Sequence, residues 1–383
     1  LRIEFGIIEG VLGVMWILVR PDAELVWRNR EVKERLAWYK AVMDNRKPAK
    51  YLIAKRVHVE GELKELSYEE LWKKHSEAIK EFYELLDNVR NNDLDIESIP
   101  IASPNLIDLK SEIARRILRN CIFCERRCGV NREAGMKGFC GLDARTYVAS
   151  EFLHMGEESP LVPSGTIFFT GCSFKCVFCQ NWDISQHPLA GEPVDAKRLA
   201  RIATDLRRRG ARNINYVGGN PDQQLHTIIE SLKYMNINVP LLWNSNMYLT
   251  LQSLDLLLEI IDIWLPDFKY GSDECAMRLS NVDRYYEVVT RNLKILADKN
   301  EDAIIRHLVL PNHLECCTVP ILEWISKNYP KALVNVMAQY RPEYQVALYP
   351  DKWRDIARRP SSSEMSKAYT LARKLGLCFE PVS

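Results

Sequence analysis

The sequence predicts an α/β protein with a parallel sheet or barrel, preceded by a mainly helical appendage and a small cysteine-rich segment. Three features carry this expectation. From about residue 164, six short apolar runs alternate with amphipathic stretches of helical period, the pattern left by repeated βα units. Each run ends in glycine, amide, carboxylate or basic residues, and in parallel α/β folds all such ends face one way. The first hundred residues, by contrast, carry helix signals without that alternation. The division read from these is 1–103 for the appendage, 104–160 for the cysteine-rich segment and 161–383 for the α/β unit.

In the appendage, Leu25, Val26, Val32, Leu36, Tyr39 and Val42 recur at roughly helical spacing over 23–43. Ser67-Tyr-Glu-Glu70 is a capping box opening a long helix with Leu71, Ile79, Phe82 and Leu85 on one face. The stretch 51–59 reads as a strand, and Ser103-Pro104 places a proline in the first turn of another helix.

The cysteine-rich segment holds Cys121, Cys124 and Cys128, then Cys140 after eleven further residues. Four thiols at these spacings suit a tetrahedral S4 site for zinc or an iron–sulfur cluster, and both remain open at this point.

Candidate strands follow at 166–170, 213–217, 239–243, 261–265, 303–310 and 332–339, with helices at 195–209, 222–235, 251–259, 282–297, 320–328 and 363–375. The first strand runs into Cys172-Ser-Phe-Lys-Cys176-Val-Phe-Cys179, three thiols in eight residues. A [4Fe–4S] cube usually takes four thiolates, so three leave one iron with open positions. The bland reading is a zinc loop completed by His187 or a distant cysteine. The second strand ends in Gly218-Gly219-Asn220, the third in Asn244-Ser245-Asn246, the fourth in Asp267-Phe-Lys269. Arg306 and His307 sit on the fifth, on alternate faces, so one of the two faces the interior. Asp267 and Lys269 share a face, which also allows an ordinary strand-end ion pair. His154, His226 and His313 read as packing or surface residues. Cys275, Cys316, Cys317 and Cys378 read as small buried hydrophobes, the adjacent pair being poorly placed to share one centre.

The three-cysteine spacing, with Phe178 before the last thiol, resembles the signature of the radical S-adenosylmethionine (SAM) superfamily. From about residue 152 onward the chain resembles the pyruvate formate-lyase activating enzymes, closest to a sub-branch carrying an extra upstream cysteine group. That resemblance implies a partial six-stranded (β/α) barrel, with Cys172, Cys176 and Cys179 on a [4Fe–4S] cluster whose open iron binds SAM. It implies an electron donor such as flavodoxin or ferredoxin, reductive cleavage to a 5′-deoxyadenosyl radical, and hydrogen-atom abstraction from a macromolecular substrate such as a protein. It further implies that Phe178 meets the adenine, Gly218 and Gly219 the SAM amino group, and Asn244 and Ser245 the ribose. Asp267 and Lys269 are implied near the carboxylate, with Arg306 or His307 completing the set; Asn220 stands where the family often has glutamate.

Composition bounds the alternatives. Hydrophobic residues make up 47% of the chain and charged ones 27%, ordinary for a soluble globular protein. Lys+Arg 52 against Asp+Glu 51 offers no global attraction for nucleic acid or a membrane surface. The apolar run 5–19 contains Glu9 and is too short to span a bilayer. Eleven cysteines in so long a chain fit a reducing cytoplasm better than a disulfide scaffold. Against the radical enzyme stand a peptide- or RNA-modifying relative of it and, in another class, a non-catalytic iron–sulfur carrier or zinc-organised module. A carrier has no need of glycine, amide and carboxylate ends gathered around an open iron.

Overall fold

The computed structural model describes residues 16–383. The apolar run therefore lies mostly outside the described residues, apart from the short helix Trp16–Val19. Among the described residues no helix is long and apolar enough to cross a membrane.

Eight strands form the frame: β1 (Thr146–His154), β2 (Ser164–Phe169), β3 (Glu192–Val194), β4 (Asn213–Gly218), β5 (Leu241–Ser245), β6 (Ile263–Pro266), β7 (Ile304–Leu308) and β8 (Leu333–Met337). β2, β4, β5 and β6 run parallel in that order, and β7 pairs with β8 in parallel. The two sheets are stitched by parallel bridges from Trp264 to Ala303 and from Asp267 to Arg306. Six parallel strands thus curve into a partial (β/α) barrel, as expected. Their residues are buried on both faces, which is why each reads in the sequence as an apolar run rather than an alternation.

β1 and β3 were not expected. They add antiparallel to the β2 edge, and β1 is half exposed from Ala149 onward, so its hydrophobic signal is diluted by Ser150 and Glu151. On the other edge β8 is covered by the C-terminal tail, where the Val334 amide donates to the Cys378 carbonyl. Among the described residues no strand pairing joins β1 or β3 to β8, and the barrel stays open on that side.

The appendage is helical, with two differences from expectation. The stretch 51–59 is not a strand: it is mostly the helix Lys50–Ala54, in which Tyr51 and Ala54 are buried at three-residue spacing, and a turn that buries Val57. The helix Leu106–Ile117 is capped by Asn105, whose side chain accepts from the Ile107 and Asp108 amides, rather than opened by proline. The Ser67–Glu70 capping box is present and starts the helix Tyr68–Asn91. Its buried seam runs through Leu71, His75, Ala78, Phe82, Leu86 and Val89; Ile79 and Leu85 form the half-buried rim.

The appendage closes the N-terminal end of the barrel. Trp38 Nε1 and the Lys50 amide donate to Asp262 Oδ1 at 2.8 and 3.0 Å, just before β6. The Tyr39 amide donates to Asp302 Oδ2 at 2.9 Å before β7, and Asn213 at the start of β4 donates to the Tyr39 hydroxyl at 2.9 Å. Buried ion pairs Lys50–Glu301 and Lys110–Glu259, both 2.6 Å, tie the appendage helices to the α/β layer. In barrels this end serves stability, and the opposite face is left for chemistry.

Candidate active site

At the C-terminal ends of the strands lies a cavity of about 260 Å³. Cys172, Cys176 and Cys179 line it, together with Phe178, Gly218, Gly219, Asn220, Asn244, Ser245, Asp267, Lys269 and Arg306. Of the site residues expected from the strand ends, only His307 stays outside. Its ring is fully buried on the other face of β7, Nδ1 against the Phe268 carbonyl and Nε2 against Thr318 Oγ1, both at 2.9 Å. The alternation of β7 gives Arg306 to the cavity and His307 to the packing beneath.

Each of the three sulfurs has a polar neighbour. The Phe174 amide donates to Cys172 Sγ at 3.3 Å, Ser280 Oγ to Cys176 Sγ at 2.9 Å, and Ser185 Oγ lies 3.3 Å from Cys179 Sγ. Burial pushes the Cys176 thiol up to about 11, helped by Cys179, and the Cys172 thiol higher still. Two buried sulfurs and a half-buried one, each with a polar neighbour, suit thiolates held by a cluster, since hydrogen bonds to sulfur are one of the means by which proteins tune such centres.

Gly218 and Gly219 line the cavity and also meet a packing constraint. A Cβ on Gly218, whose φ is +123°, would fall 2.1 Å from the Phe169 carbonyl oxygen. One on Gly219 would fall 2.2 Å from the Gly171 carbonyl oxygen. A side chain there collides with β2 and the cysteine loop before it reaches cofactor space. The pair lets the end of β4 lie against that loop.

Asp267 is held between two cations, Lys269 Nζ at 2.7 Å and Arg306 Nε at 2.9 Å. Burial alone would raise its carboxyl, but Arg306 and Lys269 outweigh this and hold it below the usual range. Lys269 has three donors and spends one on Asp267. Arg306 also donates to Asn244 Oδ1 at 2.5 Å, leaving the Asn244 amide nitrogen free to donate. Ser245 Oγ accepts from the Met247 amide at 2.8 Å and fixes the turn after β5. Asn220 Oδ1 accepts from the Asn246 amide at 3.1 Å, linking the two strand-end loops. Phe178 stands edge-on to Tyr340, with ring centroids 5.6 Å apart.

Sequence reasoning missed a second cavity, of about 510 Å³, that shares Asn244, Arg306, Met337 and Gln339 with the first. It runs into the open side of the barrel between β1 and β8. Glu157 and Glu158 line it, with His154 and Asn335. Glu157 accepts from Asn215 at 2.9 Å and Glu158 from Asn335 at 2.8 Å, while Glu158 Oε2 has no hydrogen-bond partner among the described residues. Burial pushes Glu158 up to about 7, against the pull of Arg306. These acids sit in the turn before β2, away from any strand end, so the strand-end rule does not find them.

The upstream cysteines lie beside the same loop. Cys121, Cys124 and Cys140 are buried and Cys128 is exposed. The space beside Gly138 brings Cys128 and Cys140 together, and Arg132 Nη1 approaches Cys121 Sγ at 3.9 Å. The Glu125 amide donates to the Tyr248 carbonyl and Arg126 to the Ser173 carbonyl, both at 3.0 Å, which docks this segment on the loops after β5 and β2.

A correction concerns Cys275, Cys316, Cys317 and His313, which the sequence suggested were packing residues. Their ligand atoms all lie within 4.8 Å of one another. The cause is the π-helical turn Leu314–Thr318, whose extra residue per turn presents both adjacent cysteines to the helix Asp273–Ser280.

The family described as the Radical SAM superfamily matches residues 166–325, the span from β2 to the helix after β7. The chain thus carries a domain of the radical SAM superfamily. It also belongs to one family with the uncharacterized protein MJ0674 of Methanocaldococcus jannaschii. The two are 48% identical over 349 residues, 90% of this chain and 98% of that one. Among solved structures, Streptococcus suis SuiB bound to precursor peptide SuiA is 16% identical with a TM-score of 0.37. That match covers 54% of this chain and 46% of SuiB, so the chain spans less than half of SuiB's length. TYW1 with a lysine-pyruvate adduct bound is 13% identical with a TM-score of 0.34, over 55% of this chain and 72% of that one. Radical SAM membership makes the chain an enzyme with an iron–sulfur and SAM cofactor system, and the donor set at the barrel mouth fits both.

Proposed function

We propose that this radical SAM enzyme abstracts a hydrogen atom from a peptide substrate that inserts a cationic or hydrogen-bond-donating group into the chamber of Glu157 and Glu158. Cys172, Cys176 and Cys179 would hold the cluster. Bound there, a [4Fe–4S] cluster reduced by a donor such as flavodoxin or ferredoxin would supply the electron that cleaves SAM to a 5′-deoxyadenosyl radical.

The chain's own residues do the rest. Phe178, backed by Tyr340, offers an apolar face for the adenine. The free Asn244 amide nitrogen donates to a ribose oxygen, and the spare Lys269 donors meet the methionine carboxylate. Burial of Phe178 and Asn244 keeps water away from that part of the cavity.

The observation that carries the peptide reading is the acidic chamber opening directly onto the SAM cavity. The Glu157 carboxylate, 3.6 Å from Arg306, disfavours a phosphodiester, and Glu158 Oε2 beside it can accept from an ammonium or guanidinium group, which favours a peptide over RNA. A glycine loop, the target of the activating enzymes this chain resembles, offers only backbone, and Glu157 and Glu158 have no function toward it. The test is anaerobic SAM cleavage under reductant in the presence of lysine-containing peptides or of oligoribonucleotides. Stimulation of 5′-deoxyadenosine release by the peptides, lost in Glu157→Gln, is expected. Stimulation by the oligoribonucleotides alone would replace this reading with RNA modification.

A further inference from the structure

We propose that Cys275, Cys316, Cys317 and His313 form a structural zinc site that braces the SAM cavity from below. The geometry is that of one mononuclear tetrahedral centre. Zinc bonds of 2.3 Å to sulfur and 2.0–2.1 Å to nitrogen give tetrahedron edges of about 3.8 Å between sulfurs and about 3.6 Å between sulfur and nitrogen. Cys275 Sγ lies 3.7 Å from Cys316 Sγ, and His313 Nδ1 lies 3.5 and 3.3 Å from these two sulfurs. Cys317 completes a group in which every ligand atom is within 4.8 Å of every other. An iron–sulfur cube binds its thiolates at separate corners and would need them farther apart.

The surroundings complete the case. With Nδ1 facing the sulfurs, His313 Nε2 meets Asp355 Oδ2 at 3.0 Å, the carboxylate–histidine arrangement that fixes ring orientation in zinc sites. Three thiolates and a neutral imidazole on a divalent ion leave one net negative charge. Arg278, one turn along the helix from Cys275, pairs with Asp355 beside the ring and supplies positive charge there. Four protein ligands close the coordination sphere, as in structural rather than catalytic zinc sites.

The position gives the site its purpose. Cys275 belongs to the helix that follows Asp267 and Lys269, and that helix ends at Ser280, the donor to Cys176 Sγ. His313, Cys316 and Cys317 follow β7, which carries Arg306. One ion would therefore pin together the two loops that bring Lys269 and Arg306 to either side of Asp267.

The test is metal content of the full chain purified under reducing, anaerobic conditions with zinc present. Cys275→Ser, Cys317→Ser and His313→Ala should each lose about one zinc per chain relative to the parent, with iron unchanged, while Cys378→Ser loses none. Asp355→Asn, which leaves all four ligands in place, should keep the ion but yield it to a competing chelator about 10- to 100-fold more readily. That variant keeps the test valid if the ligand substitutions fail to fold. Zinc content unaffected by the ligand changes, loss of iron instead of zinc, or ordinary chelator resistance in Asp355→Asn would each overturn the assignment. So would a Cys275–Cys316 disulfide in the protein as purified, found by peptide mapping without reductant.

Discussion

The cysteine loop after β2 and the cysteine–histidine knot after β7 make opposite use of the same side chain. Cys172, Cys176 and Cys179 stand within eight residues of each other, yet their sulfurs do not all lie within 4.8 Å of one another. Among the described residues, only the Cys275 group brings three or more such ligand atoms within 4.8 Å of one another. The knot draws its ligands from two segments, with Cys275 and Cys316 41 positions apart, and packs them tightly. Closeness in the sequence is thus a poor guide to closeness of donor atoms. A loop built for a multi-iron cluster spreads its thiolates, and a site for a single ion contracts them.

The first way to sharpen the comparison is to disturb the residues between the two regions. Lys269→Ala should weaken SAM binding, because a charge-assisted contact contributes about 1.5–3 kcal/mol, roughly ten- to a hundredfold in affinity. Isothermal titration of SAM into the reconstituted protein measures this, with iron and zinc content expected to stay at parent values. A loss of iron alongside affinity would mean that Lys269 supports the cysteine loop itself rather than the cofactor.

A smaller effect belongs to the chamber of Glu157 and Glu158, whose lining includes none of the cysteines. Glu158 is held at about 7 in the fold by burial, above its ordinary value of 4.5. A carboxyl raised in this way keeps its proton in the folded chain while the unfolded chain has released it, so folding loses stability as pH rises from 4.5 through 7. Two and a half pH units correspond to an upper bound of about 3 kcal/mol. Glu158→Gln should therefore be more stable than the parent at pH 8, with the gap closing toward pH 5 in denaturant titrations. A gap independent of pH would place the Glu158 proton outside the account.

The sequence made the six parallel strands legible because strands buried on both faces leave unbroken apolar runs. It made the barrel-mouth residues legible because parallel topology aligns strand ends. It did not reveal β1, whose second half is exposed, nor the helix Asp273–Ser280, which is short and carries Cys275 inward behind a serine cap. Glu157 and Glu158 escaped because they come from the turn before β2. His307 was placed with the cofactor residues because alternation says that one neighbour of each pair faces in, without saying which. The knot was dismissed because adjacent cysteines rarely converge in a regular helix or strand, and the π-turn that makes them converge leaves no sequence signal.

The claim on which the rest depends is that the Cys172–Cys176–Cys179 loop holds the cluster that cleaves SAM. Anaerobic reconstitution followed by EPR, with and without SAM, and a parallel assay of 5′-deoxyadenosine test it directly. The parent should show a cluster signal that changes on SAM addition. Replacing all three cysteines with alanine should abolish that SAM-dependent change and the cleavage, while leaving the zinc of the knot in place. Reductive SAM cleavage that survives the triple replacement would contradict the account at its centre.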